Sequence, residues 1–139
     1  MEIFKNTVYQ NSSESAKTIM SGISETEVGS PPEYGGSPNS LNPEEMLVAS
    51  VNSCILLVFY HFAKKHGVEV VSYHSDANGK VDKTKNGLRF TNIEVKAKVS
   101  LKRAGSVEKI EEITQLAEKY CLVSGSLACP VQYHVEVVE

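Results

Sequence analysis

Two cysteines carry the most informative chemistry in this sequence. Cys54 lies inside the long apolar run MLVASVNSCILLVFYHF, and Cys121, 67 positions later, closes the amphipathic run VEKIEEITQLAEKYC. A pair of thiols can pass through a sulfenic acid to a disulfide and thereby reduce an oxidant. A cysteine within an apolar helix can equally be a small buried hydrophobe. The two thiols alone leave both interpretations open.

The segment that precedes Cys54 has the features of a helix start. Asn42 can act as the N-cap, and Pro43 suits the first helical position. Glu44 and Glu45 follow in the first turn, where acidic side chains oppose the positive end of the helix dipole. The dipole alone is therefore a sufficient structural explanation for Glu44.

The helix that starts there is predicted to run to about Lys65 and to stop at Gly67. Its apolar residues cover almost the whole circumference, which is typical of a buried helix. A single small domain can hardly bury such a helix alone, which indicates an intimate dimer. Because polar residues interrupt the run Met46–Phe62, we expect it to be too short and too polar to span a bilayer.

The remaining elements predict an α+β fold in a single domain, residues 1–139. The N-terminal segment suggests short strands, and residues 29–41 read as an irregular loop. A long antiparallel hairpin is expected from Val68–Val71, the turn-rich segment 76–88 and the alternating run 93–101. A second, amphipathic helix over 107–120 and a last strand over 131–137 complete the chain.

Size and composition exclude several classes of function. The chain has 139 residues, 41% hydrophobic content and a net charge of −3, as expected for a soluble globular protein. It has no basic block that would indicate nucleic-acid binding. The polar start MEIFKNTVYQNSSES does not resemble a secretion signal, so we expect a cytoplasmic protein. Three cysteines in a reducing compartment argue against a permanent disulfide framework.

The segments NPEEMLVASVNSC and KYCLVSGSL resemble those of the OsmC/Ohr family of thiol-dependent hydroperoxide reductases, and the likeness extends over most of the chain. It implies an OsmC-like fold and an intertwined homodimer, with the long helices of two chains lying between antiparallel sheets. In the family pattern Cys54 is the peroxidatic cysteine, Cys121 is the resolving cysteine and Glu44 belongs to the catalytic site. The implied substrate is an organic hydroperoxide and the implied reductant is a dithiol, with no cofactor, metal or membrane.

The sequence departs from the family pattern at the cation that activates the thiol. Burial raises the pKa of a thiol, and the thiolate is the reactive form. The family supplies an arginine from the N-terminal region, held by the glutamate that matches Glu44, whereas this chain has no arginine before Arg89. Lys17, in a predicted strand, is the candidate substitute, although a lysine lacks the planar fork of an arginine.

Geometry constrains the role of Glu44. Ten residues of straight helix rise about 15 Å, so Glu44 could reach Cys54 only through a partner chain or a break in the helix. The alternative function is a non-catalytic or redox-sensing OsmC-like protein that binds a small apolar ligand at the dimer interface. A third interpretation is a structural dimer with two core cysteines, which requires the thiols to lie far apart.

The other side chains with possible chemistry are interpreted structurally. Cys129, before Pro130, is expected to be a buried thiol that precedes a strand. A metal site formed by Cys121, Cys129 and His134 is conceivable, but none of the histidines has the short spacing of a structural zinc site. The tyrosines read as packing and surface residues.

Overall fold

A computed structural model describes residues 1–11, 14–23 and 25–139, and only the backbone of residues 104 and 105. The chain divides into two compact units, Met1–Leu47 and Val48–Glu139. A single domain over the whole chain therefore stays a prediction.

The first unit contains a three-stranded antiparallel sheet in the order β1-β2-β3. Its strands are β1 (Asn6–Tyr9), β2 (Ala16–Met20) and β3 (Thr26–Val28), which are the short N-terminal strands that the sequence predicted. The loop that follows is irregular, as expected, apart from one 3-10 turn at Pro32–Tyr34.

The long helix α1 (Pro43–Lys65) begins and ends where the sequence predicts. The Asn42 Oδ1 atom accepts a hydrogen bond of 2.8 Å from the amide of Glu45, which is the N-cap interaction. At the other end Gly67 adopts a φ of +70°, which only glycine reaches without strain. The amide that follows it closes the last turn on the Ala63 carbonyl at 2.8 Å.

One stripe of α1 is fully covered in the single chain, and the prediction of a core helix is confirmed for that stripe. Its buried members are Val51, Ile55, Phe59 and Ala63. The argument that this segment is too short and polar for a bilayer was wrong, because α1 is long and apolar enough to cross one by length and composition. A core helix of a soluble protein meets the same criterion.

The second unit contains a three-stranded sheet in the order β4-β5-β6. Strands β4 (Val70–Thr84) and β5 (Gly87–Leu101) form the predicted antiparallel hairpin. Strand β6 (Val131–Val137) is the predicted last strand, and it pairs in parallel with β5.

The hairpin is longer than the sequence suggested. The segment 76–88 was expected to be rich in turns, but the turn occupies only residues 85–86. The first of its two Asn-Gly dipeptides, Asn78-Gly79, resembles a hairpin turn in sequence, yet Gly79 lies within the paired strands. A Cβ atom there would lie 2.7 Å from Phe90 Cε1 and from Val48 Cγ2. Glycine therefore serves close packing at this position and not a turn.

The connection from β5 to β6 holds the second helix. A 3-10 turn at Ala104–Lys109 leads into α2 (Ile110–Tyr120), so the first residues of the predicted helix are wound more tightly than an α-helix. Cys121 is extended, with φ −71° and ψ 109°, and a single helical turn, α3 (Leu122–Gly125), follows it.

One apolar cluster joins α1, α2 and the inner face of the second sheet. Alternate side chains of β5 are buried, as strand geometry requires. Full burial of an aliphatic side chain of this kind stabilises the fold by about 1.5–3 kcal/mol. The members from β5, α2 and the adjoining segments are Ile93, Val95, Ala97, Val99, Ile110, Ile113, Ala117, Cys121 and Tyr133.

Candidate functional site

The two cysteines singled out in the sequence meet in the second unit. Cys54 lies half-buried on α1, and Cys121, 1% exposed, ends α2. The side chain of Cys121 lies within hydrogen-bonding reach of the Cys54 thiol. Both are free thiols. The third interpretation, which required the thiols to lie far apart, is therefore wrong.

The junction between α2 and α3 directs two backbone amides at Cys54. The first amides of a helix have no partner within it, and the N–H groups of Leu122 and Val123 lie within reach of the Cys54 sulfur. The turn is closed behind them, because the Gly125 amide donates to the Cys121 carbonyl at 2.9 Å. The thiol of Cys54 therefore faces a second thiol and two hydrogen-bond donors.

These two amides were not among the predicted site residues. A sequence pattern reports side chains, and the donors here belong to the backbone. The available signal was the position of Cys121 at the end of an amphipathic pattern, directly before a segment able to form a new turn. Only the extended conformation of Cys121 makes those amides available.

The net effect of these surroundings is a raised pKa of the Cys54 thiol. Burial raises the pKa most, since it penalises the charged form. The hydrogen bonds from the amides of Val123 and Leu122 lower it, while the neighbouring Cys121 side chain raises it. In the described part of the chain, the influences that favour the thiolate come from backbone amides and not from a cationic side chain.

Glu44 lies in the first turn of α1 and belongs to the first unit. It is half-buried, and its Oε1 atom is buried with no hydrogen-bond partner among the residues that the structure describes. Asn42 already supplies the N-cap. Helix α1 is continuous from Pro43 to Lys65, without the break that the sequence analysis considered.

Lys17 lies on β2, which confirms the predicted strand at this position. It pairs with Tyr9 on one side and with Glu27 on the other. Its Nζ atom lies 3.4 Å from the Ser15 carbonyl oxygen, to which it donates. The role of Lys17 as a substitute cation stays a prediction.

Cys129 is half-buried beside the core, directly before Pro130 and β6, so it is less buried than expected. His134 lies on the opposite face of the sheet from its buried neighbour Tyr133, with Nε2 at 3.7 Å from Glu94 Oε2. No three His, Cys, Asp or Glu side chains are placed to hold a metal ion within residues 1–11, 14–23 and 25–139.

Two tyrosines form a buried pair that sequence analysis treated only as packing. The hydroxyl groups of Tyr73 and Tyr133 are 2.7 Å apart, and both rings pack against Phe59. Burial raises the pKa of both phenols. Nearby, the Ser75 hydroxyl donates to Asn52 Oδ1 at 2.7 Å. The sequence gives no spacing rule that links these residues, because they lie on separate elements.

Comparison with known proteins identifies what the chain is similar to. A family model described as OsmC-like protein matches residues 35–136. The chain is 25% identical over 122 residues to the uncharacterized protein YmaD of Bacillus subtilis, across 86% of this chain and 81% of that protein.

Solved structures share the fold over nearly the whole chain. An OsmC-like protein of unknown function from Vibrio cholerae has a TM-score of 0.86 and 22% identity, with 99% of this chain and 100% of that chain covered. An organic hydroperoxide resistance protein from Elizabethkingia anophelis has a TM-score of 0.78 and 17% identity, with 100% and 97% covered. At these identities the likeness concerns the fold alone.

Proposed function

This chain belongs to the OsmC-like protein family and has its α+β fold, and we propose that it is a thiol-dependent peroxidase that reduces organic hydroperoxides. The observation that carries the proposal is the contact between Cys54 and Cys121. A sulfenic acid formed on one sulfur would have the other thiol beside it, without a rearrangement of the fold.

The proposed cycle has two steps and consumes one hydroperoxide. The Cys54 thiolate attacks the distal oxygen, the O–O bond breaks, and the alkoxide takes up a proton and leaves as an alcohol, while Cys54 becomes a sulfenic acid. The sulfur of Cys121 then attacks the sulfur of Cys54, and the hydroxyl of the sulfenic acid leaves as water once protonated. A dithiol reductant returns the disulfide to two thiols by exchange.

We propose that the amides of Leu122 and Val123 stabilise the Cys54 thiolate, which is the role of an arginine in the family pattern. Hydrogen bonds to the charged form of a thiol favour that form, and these two donors belong to a backbone turn whose position does not depend on a flexible side chain. Their effect is smaller than that of burial, since the pKa of Cys54 is still raised. We therefore propose that the thiolate is the minor form of Cys54 at neutral pH.

We propose that Glu44 acts in a site that is completed by a second protomer. A buried carboxylate oxygen without a hydrogen-bond partner is costly. We propose that this oxygen pairs with a cationic side chain that comes within reach when two chains associate. Lys17 is the candidate. The exposed apolar side of α1, where Leu57 is 67% exposed, supports a homodimer.

The apolar surroundings of Cys54 support an organic hydroperoxide as substrate over hydrogen peroxide. Val51, one helical turn before Cys54, and Ile55, directly after it, are fully buried and unavailable to a ligand. Val58 is half-buried, and Leu122, whose amide contacts the sulfur, is 71% exposed. These two side chains are the proposed apolar contacts of the alkyl group. We place the protein in the cytoplasm, where dithiol reductants are available.

A thiol count tests the proposal. The fully reduced protein is treated with one equivalent of an alkyl hydroperoxide, and free thiols are measured over time. Rapid loss of two thiols per chain, abolished in Cys54→Ser and retained in Cys129→Ser, is the expected result. No loss over minutes would contradict a peroxidase, and faster loss with hydrogen peroxide would contradict the substrate preference.

A non-catalytic or redox-sensing OsmC-like protein is the second candidate. The observation that favours it is the raised pKa of Cys54 together with the absence of an arginine before Arg89. A protein of this kind would bind an apolar ligand and would form the disulfide slowly and without turnover. Continuous consumption of hydroperoxide in the presence of a dithiol distinguishes the two candidates.

A further inference from the structure

A polar link joins α1 to the second sheet on the side away from the thiols. The Ser75 hydroxyl on β4 donates to Asn52 Oδ1 on α1 at 2.7 Å. Tyr73 lies two residues before Ser75 on the same face of β4, and its hydroxyl is 2.7 Å from that of Tyr133. The link therefore runs from β6 through β4 to the helix, and its inner end is buried.

Asn52 and Cys54 flank the buried stripe of α1 on opposite sides. Successive residues of an α-helix are about 100° apart, so Cys54 lies on one side of Val51 and Ile55, and Asn52 lies on the other. Cys54 faces the amides of α3, whereas Asn52 faces β4. A rotation of α1 about its own axis that moved one of these groups would also move the other.

We infer that the hydrogen bond between Asn52 and Ser75 is a positioning contact, which fixes the rotation of α1 and so holds the Cys54 sulfur against the amides of Leu122 and Val123. This inference rests on the proposed function, because it concerns the reactivity of the same thiol. Asn52 and Ser75 touch no reacting atom, and they act through the orientation of the helix.

The physical reason is that the apolar stripe alone defines this rotation poorly. Hydrophobic contact is non-directional, so the stripe defines the rotation less sharply than a hydrogen bond does. A hydrogen bond weakens steeply as its geometry departs from linear, so the half-buried bond between Ser75 and Asn52 resists such a rotation. The Tyr73–Tyr133 pair ties this part of β4 to β6, and both rings pack against Phe59 on α1.

Alkylation of Cys54 as a function of pH tests the inference in the full-length reduced protein. Iodoacetamide is the probe, and mass spectrometry of the peptide that contains Cys54 gives the rate for that thiol alone. Ser75→Ala and Asn52→Ala are expected to move the midpoint of the profile to higher pH. Each unit of that shift slows alkylation below the midpoint about tenfold. Asn52→Ala is the second variant because alanine favours the helix, so the helix itself is retained.

Matched variants separate positioning from general loss of stability. Ser75→Thr keeps the hydroxyl and is expected to restore the wild-type profile. Ser72→Ala removes another serine hydrogen bond of β4, the 2.6 Å contact with Ser100, and is expected to leave the profile unchanged. Profiles for Ser75→Ala and Asn52→Ala that coincide with that of Ser72→Ala would overturn the inference. The measurement uses no hydroperoxide, so an absence of peroxidase turnover with the expected shifts would reject the proposed function and leave the positioning role standing.

Discussion

The side chain of Cys121 lies within hydrogen-bonding reach of the Cys54 thiol, although 67 positions separate them in the sequence. The contact exists because α2 ends at Cys121 and the chain turns there into α3. The same turn supplies the amide donors, so the neighbouring thiol and the groups that favour the thiolate are set by a single backbone conformation.

The reaction of Cys54 with a hydroperoxide is expected to accelerate as pH rises through neutrality. The pKa of this thiol is raised above its usual value, mainly by burial, so the thiolate is the minor form at neutral pH. Below the pKa, the thiolate fraction increases about tenfold per pH unit. Stopped-flow rates across this range check the prediction, and a rate that is flat from neutral to alkaline pH would contradict it.

Cys121→Ser is expected to retain the first step and to block the second. Cys54 should then persist as a sulfenic acid after one equivalent of alkyl hydroperoxide, because its thiol partner has gone. Trapping with dimedone, followed by mass spectrometry, reports this species. Cys129→Ser serves as the control and should instead form the disulfide. An intramolecular disulfide in Cys121→Ser would show that Cys129 can resolve Cys54, against the assignment.

Leu57→Glu is expected to convert a dimer into monomers. Leu57 lies on α1 opposite the buried stripe and is 67% exposed in the single chain. Burying a charged side chain in an apolar interface costs free energy, whereas burying leucine there is favourable, so the variant dimer is destabilised. Analytical ultracentrifugation of the wild type and the variant checks the prediction. A wild-type protein that sediments as a monomer at micromolar concentration would remove the basis for the second protomer.

Gly79→Ala is expected to destabilise the hairpin by about 1–3 kcal/mol, as overpacked substitutions do. Its Cβ atom would meet Phe90 and Val48 at 2.7 Å. Chemical denaturation provides the free energy of unfolding. Gly125→Ala is the control, since a Cβ atom there meets nothing within 4 Å. Equal stabilities of the two variants would indicate that the strands relax around Gly79.

Asn42→Ala is expected to lower the free energy of unfolding by about 1 kcal/mol, the usual contribution of an N-cap. The variant removes the acceptor for the Glu45 amide. Asn39→Ala, at an exposed position in the preceding loop, is the comparison and should change stability little. Equal effects in thermal unfolding would assign the loss to the loop and not to the cap.

The sequence was sufficient for the parts of the fold that depend on local pattern. Helix α1 starts after Asn42 and stops before Gly67 because caps and glycine conformation are local properties. The prediction of a turn-rich segment was wrong at Asn78-Gly79, where pairing over the full length of β4 and β5 overrides the local turn preference. The helix prediction was also wrong at residues 107–109, which have helical spacing but form a 3-10 turn.

The candidate site was only half accessible to sequence reasoning. Cys54 and Cys121 could be selected because their side chains have recognisable chemistry, and the structure brings them together. The amides of Leu122 and Val123 have no signature of their own, since every residue except proline carries the same donor. The bond between Asn52 and Ser75 depends on how α1 packs on β4, which no local pattern encodes.

The parallel pairing of β6 with β5 has a consequence for the emerging polypeptide. The hairpin of β4 and β5 can form early from neighbouring residues, whereas a parallel pairing must wait for the whole intervening connection. That connection includes α2 and α3, so the arrangement around the two cysteines is anchored at its far end by a strand that leaves the ribosome after both of them. Nascent chains that carry both cysteines but lack residues 131–137 are thus expected to be poor peroxide scavengers during translation.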